Sequence, residues 1–256
     1  MKKAFCFLLI LSFSITICCC HIYARTNTDA FSWYVKRNAE HKQPEIDNSM
    51  EFIKNYDTYY VNEGKKEEKV LYLTFDAGYE NGNVEKIVDV LIDKNVPAAF
   101  FVLDNIILKH PELLKKMENA NMIICNHTKT HRDMTKITSK DEFCAELKSL
   151  EEIYLNATGK EMKKFYRPPE GKFSELNLMH AKELGYKTVL WSFAYADWDN
   201  ENQPTKEFAM KKILDNTHNG AIILLHPTSA TNASIISELI DEWRKQGYTF
   251  ASLEDL

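Results

Sequence analysis

The sequence predicts an α/β fold, a distorted (β/α) barrel of about seven parallel strands. From Val70 onward short apolar runs alternate with amphipathic stretches. The runs are mostly rich in β-branched or aromatic residues, and no glycine-rich phosphate turn follows any of them. Strand–helix alternation implies a parallel sheet, open or closed into a barrel. Without a phosphate turn, an incomplete or distorted barrel is favoured over a dinucleotide-binding sheet, with the chemistry at the C-terminal strand ends. The 256 residues, 45% hydrophobic and 27% charged, suffice to bury a real core.

Taken in order, the chain opens on Lys2 and Lys3 followed by an uncharged, apolar or small stretch to Cys20, the pattern of an export signal. Ala24 suits a cleavage site, whereas Ile22 is bulky for one, so residues 1–24 read either as a signal peptide or as an uncleaved N-terminal anchor. Residues 25–69 are polar and carry Phe31, Trp33, Tyr34, Tyr56, Tyr59 and Tyr60, a lead-in expected to lay aromatic anchors on the domain formed by 70–256. The predicted strands are 70–75, 98–102, 122–125, 165–167, 188–191, 221–225 and 248–250. Helices are expected over 84–94, 111–119, 141–156, 175–184, 206–216 and 233–245, with Ser139 and Glu142 as a capping box and Gly185, Gly220 and Gly247 as punctuation. Four of six cysteines lie in the first twenty residues, leaving Cys125 and Cys144, too few for a disulfide framework. A formal charge of -5 argues against a nucleic-acid binder that works by neutralising phosphates.

Polar and titratable residues gather just after the strands: Asp76, Asn126 to His131, Arg167 to Gly171, Asp197 with Trp198, and His226. One Asp after a strand is ordinarily a turn or cap residue, but five such endings on one rim point to a site. His127 and His131, four apart, can share a metal ion. With Asp76 from the neighbouring loop they would leave positions open for water and substrate, as hydrolytic metal sites do. His226 reads either as a core histidine or as a general acid held protonated by a carboxylate, for which Asp197 is the candidate. Cys125 points to the same side as His127 and reads as strand packing or, less simply, as a thiolate near the metal. His21, His41, His110, His180 and His218 receive no role. The sequence has no Gly-x-Ser-x-Gly elbow, P-loop or Cys-x-x-Cys pair.

These motifs resemble, in order, the five of the polysaccharide deacetylase (NodB-homology) carbohydrate esterases: Leu73-Thr-Phe-Asp-Ala-Gly78, His127-Thr-Lys-Thr-His131, Arg167-Pro-Pro-Glu-Gly171, Asp197-Trp198 and Leu225-His226. Within that family the chain looks most like the delta-lactam-biosynthetic de-N-acetylases of spore-forming bacteria, through Tyr79-Glu-Asn-Gly82, Trp191-Ser-Phe-Ala194, Phe31-Ser-Trp-Tyr34 and Thr231-Asn-Ala233. The resemblance implies a metal-dependent removal of N-acetyl groups from N-acetylmuramic acid in peptidoglycan, leading to muramic delta-lactam in spore cortex. It implies Asp76 as general base, Arg167 as its orienting partner, His226 as general acid and Asp197 as the residue that tunes it. His127 and His131 would hold one divalent metal, zinc or another transition metal. Tyr79, Glu80, Asn81, Glu170 and Trp198 are expected to contact substrate. The expected partners are peptidoglycan glycan strands, for a monomer that is secreted or anchored at the outer face of the membrane, in the forespore intermembrane space for a sporulation enzyme.

Two positions depart from the family pattern. Ala77 stands where the family usually has a second, metal-ligating Asp, which implies a weaker or differently completed metal site. Glu170 stands where several relatives have Arg. Two other readings are a deacetylase of a different acetylated glycan and a non-catalytic glycan-binding relic.

Overall fold

The computed structural model describes residues 28–256. The expected signal or anchor over 1–24 lies outside the described residues. In chain order the elements are β1 (Phe31–Ser32), β2 (Thr58–Tyr59), β3 (Val70–Ala77), α1 (Val84–Asp93), β4 (Ala98–Val102), α2 (Asp104–Lys109), α3 (Pro111–Asn119), β5 (Ile123–Asn126), α4 (Lys140–Thr158), β6 (Phe165–Tyr166), β7 (Lys172–Phe173), α5 (Glu175–Glu183), β8 (Lys187–Val189), α6 (Lys206–Asp215), β9 (Ala221–Leu225), α7 (Ala230–Lys245) and β10 (Thr249–Phe250).

The main sheet runs β10-β3-β4-β5-β6-β8-β2, with β9 also on β3, and every pairing within it is parallel. All seven expected strands are present, and the lead-in supplies an eighth, β2. The ring closes irregularly between β8 and β9. A parallel bridge joins Phe193 to Ile223 near the top, and an antiparallel one joins Val61 to Ala221 near the bottom. That irregular seam is what makes the barrel distorted.

Strand alternation sorts side chains into two layers. Leu71, Leu73, Phe75 and Ala77 face outward and share an apolar cluster with Val84, Ile87, Val88 and Leu91, the inner stripe of α1. Each such buried aliphatic side chain stabilises the fold by about 1.5–3 kcal/mol. Facing inward, Tyr72, Ala99, Phe101, Ile123, Cys125, Val189 and Ile222 fill the barrel, and Leu253 closes its floor. The interior therefore changes from apolar at the floor to polar at the C-terminal strand ends.

Three local features differ from expectation. Helix α2 was not foreseen: its six residues follow β4 almost directly, with no side-chain cap to mark the start. Helix α7 begins at Ala230 because Ser229 caps it, its side chain accepting from the Asn232 N–H. The capping box on α4 is half formed, since Ser139 accepts from the Glu142 N–H at 3.4 Å while the Glu142 carboxylate pairs with Arg132.

The lead-in is tied down at both ends of the barrel. Trp33 donates from Nε1 to the Trp191 carbonyl (2.8 Å) and from its backbone N–H to the Gly171 carbonyl (2.9 Å). At the other end Gly220 accepts from the Asn62 N–H (2.9 Å) with φ at +69°. A Cβ on Gly220 would lie 2.5 Å from the Asn62 carbonyl oxygen, a backbone atom that cannot swing aside. Gly220→Ala should therefore lower stability by about 1–3 kcal/mol, read from the midpoint of urea denaturation. An unchanged midpoint would mean the lead-in is not held there.

Candidate active site

The site grows out of the barrel's inward files. On β3 the file rises from Tyr72 through Thr74 to Asp76; on β5 it rises from Cys125 to His127; on β9 it rises from Ile222 through Leu224 to His226. Arg167, just after β6, lies across the interior beneath them and is 0% exposed.

Four of its five guanidinium N–H groups have acceptors inside the barrel. Nε donates to the Val189 carbonyl (2.9 Å), Nη2 to Thr74 Oγ1 (2.9 Å) and the Leu190 carbonyl (3.3 Å), and Nη1 to Asp76 Oδ1 (2.7 Å). The cation also lies 4.1 Å from the centroid of the Phe101 ring. Thr74, an inward polar residue in an apolar strand, completes this cradle by donating to the Ile223 carbonyl (2.7 Å).

Asp76 keeps only 10% of its side chain exposed. Burial works against its charge, but Arg167, with His127 and His226 nearby, outweighs burial and holds the carboxyl below the usual carboxylate range. His127 Nδ1 bonds the Arg167 carbonyl (2.9 Å), and a carbonyl can only accept. The proton therefore sits on Nδ1 and leaves Nε2 with its lone pair, 3.6 Å from Asp76 Oδ2. Burial pushes the pKa of His127 down to about 4, so the ring is neutral at pH 7. The ring of His131 stands edge-on to it at 4.9 Å between centroids.

The turn that brings the two imidazoles together is strained. Thr128 and His131 both have positive φ, 69° and 54°, and for a β-branched residue that is an outlier. Side chains hold it: Asn126 Oδ1 accepts from the Thr128 N–H, and Thr128 Oγ1 from the His131 N–H.

On the other side of the pocket His226 is clamped by Asp197, which is 1% exposed. The His226 N–H donates to Oδ2 (2.9 Å), and its Nδ1 bonds Oδ1 (2.7 Å). Burial alone would lower the pKa of His226; the Asp197 hydrogen bond and charge overcome it, so the imidazole holds its proton above the usual value. Nε2 is the nitrogen left free.

Asp76, His127, His131 and His226 line one pocket of about 880 Å³, walled by Tyr79, Leu103, Trp191, Tyr195, Trp198 and Leu224. Trp198 and Tyr79 are 63% and 47% exposed and present aromatic rings to the pocket wall. Glu170 is also on the wall, with φ at +57° and its carboxylate paired to Lys172.

Not every expected contact residue reaches the pocket. Glu80 turns back to accept the N–H groups of Gly82 and Glu85, and Asn81 donates to the Thr228 carbonyl (2.9 Å). Both shape the loop instead of lining the cavity: backbone donors before and at the start of α1 occupy the Glu80 carboxylate and Asn81 Oδ1, and the Asn81 amide ties the loop to the Thr228 carbonyl. Cys125 lies lower in the barrel, fully buried, and burial pushes its thiol well up, which removes it as a thiolate. Ala77 packs in the outward apolar layer and is absent from the pocket wall. Sequence reasoning gave no role to Thr74, Trp191 or Tyr195; Thr74 alone carried a signal, its phase with Asp76.

A profile of the polysaccharide deacetylase family matches residues 63–189. Over 229 residues, 89% of this chain and 86% of the relative, the sequence is 41% identical to the peptidoglycan-N-acetylmuramic acid deacetylase PdaA of Bacillus subtilis strain 168. It is 30% identical to a peptidoglycan-N-acetylglucosamine deacetylase of Bacillus cereus, over 77% of this chain and 71% of that one. The solved structure of Bacillus subtilis PdaA, a family 4 carbohydrate esterase, superposes with a TM-score of 0.85 over 90% of this chain and 97% of that one, at 39% identity.

Replacing the buried cation tests the centre of this arrangement. Arg167→Met should cost about 3–5 kcal/mol in chemical denaturation, since Asp76 and three further acceptors lose their donor at once. A loss below about 1 kcal/mol would show that Asp76 does not depend on it.

Proposed function

Because the chain belongs to the polysaccharide deacetylase family, we propose that it hydrolyses the N-acetyl group of N-acetylmuramic acid in peptidoglycan, with Asp76 as general base and His226 as general acid. It is a polysaccharide N-deacetylase, a hydrolase of amide C–N bonds. The observation that carries the assignment of roles is the opposite bias on two groups in one pocket. Arg167 keeps Asp76 ionised, and Asp197 keeps His226 protonated.

In this reading Asp76 Oδ2 takes a proton from water as the water oxygen attacks the amide carbonyl carbon. His226 Nε2 then gives its proton to the nitrogen as the C–N bond breaks, so that acetate and a free amine leave. Trp198 and Tyr79 hold the sugar, while Leu103, Leu224 and Trp191 keep bulk water from the reacting carbon. A free amine on muramic acid can condense with the lactyl carboxyl of the same sugar, which is the route to a delta-lactam in spore cortex.

Polysaccharide deacetylases are generally metal-dependent. The donor set fits one divalent ion, zinc or another transition metal. His127 and His131 would hold it through neutral imidazoles, His127 with its second nitrogen anchored on a carbonyl as metal-binding histidines usually are. When bound, such an ion polarises the carbonyl and lowers the pKa of water. Among the described residues no group of three or more His, Cys, Asp or Glu is arranged to hold a metal ion. We therefore place water and substrate in the remaining positions and expect loose binding. The export pattern of residues 2–20 supports action outside the cytoplasmic membrane, secreted or anchored.

Acetate release from purified peptidoglycan should fall by at least about 100-fold in Asp76→Asn and in His226→Ala with folding intact. Near-normal turnover in either would remove that residue from its role. The pH profile has a fixed sign. A raised His226 pKa means the acid is present at low pH and lost as pH rises through a value above 6.5. On the acid side, activity is lost as His127 gains a proton at about 4 and Asp76 gains one below the usual carboxylate range. Calorimetric titration with zinc chloride should show binding that disappears in His127→Ala/His131→Ala; unchanged affinity would sink the two-histidine site.

A further inference from the structure

Asp197 carries a charge into the interior, so the donors around it decide how it acts on His226. Two donors belong to His226 itself. The third comes from the first turn of α7: Asn232 Nδ2 donates to Asp197 Oδ2 (2.6 Å) and to the His226 carbonyl (3.0 Å). Its Oδ1 accepts from the Tyr195 hydroxyl. The amide can face only this way, since turned over it would set its oxygen against the carboxylate.

Asn232 is 0% exposed and is itself held in place. Ser229 Oγ accepts from the Asn232 N–H (3.0 Å) and donates to Gln203 Oε1, and Gln203 Nε2 donates to the Asp197 carbonyl (3.0 Å). The main chain and the side chain of Asp197 are thus both fastened to the start of α7.

We propose that Asn232 is a positioning residue that sets the proton affinity of His226 through its hydrogen bond to Asp197. The inference rests on the reading of His226 as proton donor. The Asn232 N–H draws part of the carboxylate's charge away from the imidazolium and so weakens the pull of Asp197 on the proton. With the amide gone the carboxylate stays in place, because His226 still holds both oxygens, but its charge falls more fully on the ring. His226 then keeps its proton to higher pH and releases it less readily. Asp76 and Arg167 are the other charged groups acting on His226, one raising and one lowering its proton affinity, and neither is altered by the change. Asn232 does not line the pocket, so substrate affinity is left as it was.

The test is NMR titration of the His226 ring in the full-length protein, its Asn232→Leu and Asn232→Ala variants, and a Thr231→Val control. Thr231 lies on the same turn and donates to the Pro204 carbonyl (2.7 Å) without touching the pair. Either Asn232 variant that folds should titrate about half a pH unit or more above wild type. The alkaline limb of the kcat profile should move up with it, plateau kcat should fall about threefold, and KM should stay within about twofold. The control should lower the melting temperature and leave the titration alone. A titration that does not move upward, or that moves equally in Thr231→Val, overturns the proposal. If wild-type protein releases no acetate from peptidoglycan, the proposed activity fails, while the NMR titration still decides the role of Asn232.

Discussion

One buried guanidinium organises this protein. Arg167 has no contact with water, so its donors look for acceptors inside the barrel, and the four that find one draw on β3, on β8 and on Leu190 just beyond β8. Its own main chain joins in, the N–H donating to the Asn126 carbonyl and the carbonyl anchoring His127. A cation placed this way fixes the charge of Asp76, the tautomer of His127 and the height of both above the apolar floor. Its desolvation is offset by four hydrogen bonds, one of them to the Asp76 carboxylate, and by the ring face that Phe101 offers.

The opposite wall solves a mirror-image problem. There the buried charge is an anion, Asp197, and its donors are two groups of His226 and one amide from α7. A buried cation paired with the base and a buried anion paired with the acid push two side chains, both lining one pocket, toward opposite protonation states. Neither would hold its bias if its partner were solvated, because water would screen the interaction.

Much of this was legible in the residues. Seven strands and six helices follow from alternation and apolar spacing, and the polar residues after the strands mark the rim, since a parallel barrel brings all its C-terminal strand ends together. What escaped was set by geometry that no local pattern encodes. Helix α2 has no cap and only six residues. Glu80 and Asn81 look like rim residues by position, yet nearby backbone groups capture their side chains. Trp191 and Tyr195 reach the pocket because the seam beside β9 leaves the strand early, and Trp33 braces that seam from a lead-in distant in sequence. The outward turn of the Ala77 methyl, by contrast, is local, since Ala77 follows Asp76 directly on an alternating strand.

The central claim, removal of the acetyl group from muramic acid, is tested most directly by mass spectrometry of peptidoglycan strands, with and without stem peptides, after incubation with the protein and a divalent metal salt. The expected result is loss of one acetyl mass confined to muramic acid residues. Loss confined to the glucosamine residues, or an unchanged spectrum under every condition, would contradict it.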